Sequence, residues 1–235
     1  MWINVGIIVL AAIVLVFYLI EKCKAYTVKS VLIKTFVSAL FLTVALYSAY
    51  HNGGQHKMNI FIILGLFFGL TGDIWLDLKY VYPKDDKIYS YAGFIVFGIG
   101  HILFITGMYL EFFNNAHFLY ILIPILIAAV IGVVNLFLAK PLKLDYKDMK
   151  WIAFVYSITL FSLPLCSASL LIVNGWNNVT LLMMFIGGIL FAVSDLVLSG
   201  TYFGEGHEKP IDFILNYISY YGAQFVIAFS IFFLI

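Results

Sequence analysis

Eight stretches of roughly twenty apolar residues follow one another along this chain, separated by short polar connections, and they leave little choice of fold. A helix needs about 20 apolar residues to cross about 30 Å of hydrocarbon. The stretches run about Ile3 to Ile20, Val31 to Ala49, Met58 to Leu78, Ile88 to Leu110, Phe118 to Leu138, Trp151 to Val173, Val179 to Gly200 and Ile211 to Leu234. Of the 235 residues, 64% are hydrophobic and 11% charged, far from the balance of a soluble domain, and almost nothing is left over for an extramembrane module. The pattern predicts an all-α polytopic membrane protein whose residues 1–235 form one eight-helix transmembrane domain. No positive residue precedes the first stretch, Glu21 and Lys22 follow it, and no small-residue cleavage site is evident, so it reads as a retained span and not as a signal peptide.

The thirteen basic residues are all lysine, and their placement predicts orientation. Lys22, Lys24 and Lys29 fall in the first connection, Lys79, Lys84 and Lys87 in the third, Lys140, Lys143, Lys147 and Lys150 in the fifth and Lys209 in the seventh. Lys34 lies just inside the second span at that same end, and the even-numbered connections hold only Lys57. Basic residues of short loops stay on the cytoplasmic side, so both termini are expected to face away from the cytoplasm. Topology and anionic lipid account for the lysines, and a net charge of +1 gives no reason to invoke nucleic acid. Cys23 and Cys166 are too few for a disulfide framework or a cysteine metal site.

Within the spans the polar residues stand out. Asp73, in FFGLTGDIWLDL, and Asp195, in IGGILFAVSDLVLSG, each cost at least about 2.5 to 3.5 kcal/mol to insert, a cost that usually marks a buried polar site. Each lies about five residues before the lysine-rich end of its span, or about 8 Å below the boundary at about 1.5 Å per residue. His101 occupies the middle of the fourth span, and Tyr220, Tyr221 and Gln224 lie in the eighth, so all these groups are candidates for one cavity. Asp77, one helical turn beyond Asp73, either joins that site or is solvated beside Lys79. The spacing from Asp73 to His101 resembles that from Asp195 to Gln224, which points to a parallel repeat of two four-helix halves, residues 1–115 and 116–235. Every one of these residues also has a purely structural reading, as an interhelical hydrogen bond or a packing contact. Gly65, Gly69, Gly72, Gly187 and Gly188 are most economically explained by close helix approach.

The run GLTGDIWLD with Gly72 and Asp73, FGIGH with His101, GGILFAVSD with Ser194 and Asp195, and YYGAQ with Tyr220, Tyr221 and Gln224, taken in that order, resembles the YhhN-type lysoplasmalogenase family. The resemblance implies an integral membrane hydrolase, in a bacterial inner membrane, that cleaves the vinyl ether bond of lysoplasmalogens to a fatty aldehyde and a glycerophospho-head-group alcohol. Its partners would be the lysophospholipid substrate and membrane lipid. No cofactor is implied, and oligomeric state is left open.

That chemistry asks for one acid and one base or charge stabiliser, because protonating the β-carbon of a vinyl ether gives an oxocarbenium ion that water captures. Asp73 and Asp195 in differently desolvated settings could divide these roles, the one held protonated serving as donor while the other stays ionised. The residues alone do not say which is which. Asp77, His101, Ser194, Tyr220, Tyr221 and Gln224 are the supporting candidates, orienting water or the glycerol portion. Lys79 and Lys140 are candidates for phosphate contact in a cavity open to the cytoplasmic leaflet. A metal-dependent hydrolase would gather several histidines and carboxylates, whereas only His101 lies within a span, so no metal is expected. Two other classes use the same aspartates: a small-molecule or ion transporter, and a non-catalytic lipid-binding membrane protein.

Overall fold

The computed structural model describes residues 1–24, 27–114, 117–204 and 210–234. Lys209 and the expected boundary between the halves, at 115 and 116, lie outside the described residues. Eight helices long and apolar enough to cross a membrane are present: α1 (Trp2–Lys24), α2 (Val28–His51), α3 (Lys57–Val81), α4 (Asp86–Phe112), α5 (Leu119–Leu138), α6 (Lys150–Asn174), α7 (Val179–Phe203) and α8 (Pro210–Ser230). Among the described residues there is no β-strand, only an isolated bridge between Leu144 and Gly204. Integral membrane character thus follows from the helices themselves, since a helix satisfies its backbone internally where no water can do so.

Local sequence sets where the helices begin and end. Thr27 caps α2 by accepting from the Ser30 backbone N–H, and the Ser30 side chain accepts from the Thr27 N–H in return. Asn178 caps α7 by accepting from the Leu181 N–H at 3.0 Å. Pro83 opens a single 3₁₀ turn, Pro83–Asp85, that leads into α4. Gly175 terminates α6 at φ +92°, a conformation closed to most side chains.

Consecutive helices pack as antiparallel neighbours, and α4 with α6 and α2 with α8 pack as parallel ones. The main pairings are α3 with α4, α7 with α8, α5 with α6, α1 with α2, α2 with α3, α6 with α7, α4 with α6 and α2 with α8. Shifting each label by four carries every one of these pairings onto another. Helices α1 and α5 are the most outward-facing. The α3–α4 contact depends on glycine: a Cβ on Gly65 would sit 3.0 Å from the Gly100 carbonyl oxygen, and a Cβ on Gly100 3.0 Å from that of Gly65. Such backbone proximity is how apolar helices gain packing energy where lipid competes for the same surfaces. Gly187 lets α7 approach Ile227 of α8 in the same way.

Both chain ends lie at one end of the bundle. Asn4 donates to Ser48 Oγ at 2.9 Å, and Asn52, just past α2, donates to the Ile231 carbonyl at 2.8 Å. At the opposite, lysine-rich end, the segment joining α5 to α6 is tied down. Its Asp145 N–H donates to the Phe203 carbonyl at 2.7 Å beside the Leu144–Gly204 bridge. Asp148 pairs with Lys87 of α4, and its carbonyl accepts from Tyr91 at 2.9 Å.

Candidate active site

Near that lysine-rich end the helices enclose a cavity of about 320 Å³ that both Asp73 and Asp195 line. Its floor holds polar groups from α1, α2, α3, α6, α7 and α8. Phe94, Phe97, Leu136, Leu160 and the Leu142 and Leu144 side chains of the α5–α6 segment make the rest largely apolar. A site of this build accepts an apolar chain and presents a few polar groups to one end of it.

Four buried charges form the α1–α2–α3 side of the cavity. Asp73 accepts from Ser38 Oγ at 2.6 Å and from Tyr220 Oη at 2.7 Å, and its other oxygen lies 3.2 Å from Lys34 Nζ. Lys34 also reaches Asp77 at 3.1 Å, and Lys22 lies 3.6 Å from the same Asp77 oxygen. The second Asp77 oxygen accepts from Tyr18 Oη at 2.7 Å. Lys22 further donates to Tyr18 Oη at 3.1 Å and to Tyr217 Oη. Two ammonium groups and two carboxylates balance, and their remaining valences are met by hydroxyls; both conditions are needed for charges to survive out of water.

The other carboxyl is held differently. Asp195 accepts a hydrogen bond from Tyr156 Oη, and no lysine pairs with it among the described residues. Asp73 therefore sits in an ion-paired setting and Asp195 in an uncharged one, on the same cavity.

The predicted residues divide by where the fold turns them. Asp73, Asp77, Ser194, Asp195 and Tyr220 line the cavity. Asp77 is buried and ion-paired, not solvated beside Lys79. Ser194 accepts from Asn216 Nδ2 at 3.0 Å, linking α7 to α8. Tyr221 and Gln224 stand behind the wall: Tyr221 Oη is 3.2 Å from Ser38 Oγ, and Gln224 donates to Tyr220 Oη at 2.9 Å. His101, expected to orient water or substrate, stands apart from these groups. It does not line the cavity; its ring packs edge-on against Phe191 at 4.5 Å between centroids, and neither ring nitrogen has a hydrogen-bond partner among the described residues. The depth of His101 was readable by counting, but the side of α4 on which it falls was not. Lys140 is exposed and lies off the cavity.

Residues that sequence reasoning missed complete the site. Lys22 and Lys34 had been assigned to topology, yet they are 8% and 4% exposed and neutralise the aspartates. Tyr18, Tyr156 and Tyr217 supply the phenol donors. One signal was available: Tyr217, Tyr220, Tyr221 and Gln224 recur at helical spacing along one face of α8. Among the described residues no three His, Cys, Asp or Glu side chains are placed to hold a metal ion.

Comparison with known proteins gives one match. A model of the YhhN family covers residues 29–231, most of the chain and every helix that contributes to the cavity except α1. No curated protein and no solved structure matches.

Proposed function

The chain belongs to the YhhN family, and on that footing we propose that it hydrolyses the vinyl ether bond of lysoplasmalogens inside the membrane, with Asp195 as the acid and Asp73 as the charge stabiliser. The observation that carries this reading is the asymmetry of the two carboxyls on one cavity: among the described residues Asp73 lies against Lys34, whereas Asp195 has only a phenol. An unpaired buried carboxyl favours its neutral form, and a carboxyl beside an ammonium favours its charged form, which is the division of labour this reaction needs.

In this scheme the alkenyl chain lies along the apolar wall formed by Phe94, Phe97 and Leu160, with the ether linkage between the carboxyls. Asp195 gives its proton to the β-carbon of the vinyl ether, the double bond shifts, and an oxocarbenium ion forms at the α-carbon. The Asp73 carboxylate faces that positive charge. Water adds to the α-carbon and returns a proton to the Asp195 carboxylate, leaving a hemiacetal. Collapse of the hemiacetal moves its hydroxyl proton to the departing ether oxygen and yields aldehyde and alcohol. Water is the sole co-reactant, and both carboxyls end as they began.

The halves support the same picture. Lys34 precedes Asp73 by as many residues as Tyr156 precedes Asp195, and the helices that carry them, α2–α3 and α6–α7, are matching pairs in the neighbour pattern. We read the two halves as a duplication in which one copy kept a lysine opposite its aspartate and the other a tyrosine. The lysine-rich end then faces the cytoplasm of a bacterial inner membrane, and the cavity opens toward that leaflet.

Purified protein in mixed micelles, supplied with a 1-alkenyl lysophospholipid, should release fatty aldehyde, and Asp195→Asn should lower that rate by about 10² to 10⁴, the usual worth of a general acid. Transport of solute into liposomes with no aldehyde formed would instead favour a transporter.

A further inference from the structure

Beside the main cavity, and sharing Tyr146, Tyr202 and Phe203 with it, lies a second, polar recess of about 430 Å³. It is bounded by the end of α3, the start of α4, the α5–α6 segment and the end of α7. Lys79 occupies the partition. Its ammonium sits 3.1 Å from the centre of the Tyr202 ring and 5.0 Å from that of Tyr80, and it makes no ion pair among the described residues. Ser90, 4% exposed, lines the same recess and has no hydrogen-bond partner among the described residues. The segment that closes the recess holds Lys143 and Lys147 at φ of 54° and 46°, a conformation that lysine rarely adopts. The Leu144–Gly204 bridge and the Asp145 side chain, which accepts from the Lys147 N–H at 3.0 Å, hold it there.

From this arrangement we infer that the recess is a phosphodiester site: it takes the singly charged phosphate of a single-chain phospholipid, with the Lys79 ammonium and the Ser90 hydroxyl as its donors. An ammonium fixed over a ring, with its donors otherwise unspent, is pre-organised for an anion. Asp86, Asp145 and Asp148 also border the recess, as do Lys87, which pairs with Asp148, and Lys147. The three lysines and three carboxylates of the lining balance, so the recess has no excess positive charge to hold the second negative charge of a phosphate monoester, and a phosphodiester monoanion suits it better. The shared wall lets one molecule place its phosphate here and its chain in the main cavity, a few bonds apart.

The inference rests on the reading of the cavity as a lipid site, so the test uses binding and not turnover. Three non-cleavable alkyl ethers of equal chain length are titrated into the full-length protein in detergent: a glycerophosphodiester, a glycerol phosphate monoester and an uncharged alkylglycerol. For the wild type the diester should bind tightest. Lys79→Gln should weaken the diester about ten- to hundredfold, the worth of a charge-assisted hydrogen bond, and Lys79→Arg should keep most of the affinity. Ser90→Ala should weaken it less, and alkylglycerol affinity should not change in any variant. Millimolar inorganic phosphate should compete weakly or not at all, which separates a lipid head-group site from a free-phosphate site. Equal diester affinity in the wild type and Lys79→Gln, with both proteins unfolding at the same temperature, would overturn the assignment. If no alkyl ether binds the wild type at all, the lipid-site reading itself fails.

Discussion

Replacing Lys34 with Met tests the charge arithmetic of the site most directly. Lys34 is buried among Lys22, Asp73 and Asp77, and it touches both aspartates, at 3.2 and 3.1 Å. Methionine keeps the length and packing of the side chain and removes only the ammonium, so a set that sums to zero becomes one that sums to minus one. Removing one member of a buried pair costs about 3 to 5 kcal/mol, because the partner is left uncompensated. That is a large part of a typical total of about 5 to 15 kcal/mol. The double variant Lys34→Met with Asp73→Asn restores neutrality and leaves Lys22 paired with Asp77 at 3.6 Å. It should therefore recover more than half of the loss. The assay is reversible unfolding of each variant in mixed micelles with rising denaturing detergent, followed through the fluorescence of Trp75 on α3. If Lys34→Met unfolds with the wild type, or if the two substitutions simply add, the four groups are not an interacting cluster and the argument is wrong.

Other outcomes follow from the same geometry. Asp73→Asn should reduce aldehyde release by about 10² or more while the protein still inserts and folds, since the charge facing the oxocarbenium ion is lost; turnover within a few-fold of wild type would remove Asp73 from the chemistry. Tyr156→Phe takes away the phenol hydrogen bond to Asp195, and the rate should fall by about tenfold with a stability change near 1 kcal/mol, measured by aldehyde release and detergent unfolding. His101→Phe should leave turnover within about twofold and should hold or raise stability, because it removes two buried ring nitrogens that lack partners among the described residues; a large loss of rate would place His101 in the chemistry. Gly65→Leu should prevent α3 from meeting α4 and lower the yield of folded protein, seen as aggregation on size-exclusion chromatography.

What could be read before the fold, and what could not, has a physical basis in these residues. The eight spans were legible because length and hydropathy are properties of each segment alone. Asp73 and Asp195 were legible because a carboxylate in an apolar run has few explanations. Lys22 and Lys34 were not, because a lysine near a helix end is equally well explained by topology or by a side chain extending to the interface. Tyr18, Tyr156 and Tyr217 were hidden among the aromatics that make up 18% of the chain. The side to which His101 turns was not legible for a different reason. Residue counting gives depth along a helix, but in a membrane both the lipid-facing and the protein-facing sides are apolar, so hydrophobic periodicity says little about which way a side chain turns. Only packing between helices decides that, and packing is what the Phe191 contact of His101 records.

The buried charges also say something about how this protein is made. Among the four groups, α1 and α2 each carry one positive charge and α3 carries two negative ones, so no helix of the three is neutral alone and the trio is neutral together. Electrical balance is thus reached when the chain has been synthesised only as far as Val81, whereas the Tyr220 hydroxyl that seals Asp73 arrives with the last helix. A growing chain that settles its first three helices as a group meets the bilayer without net buried charge, and the later helices add Asp195 and the apolar walls of the cavity around a centre that is already neutral.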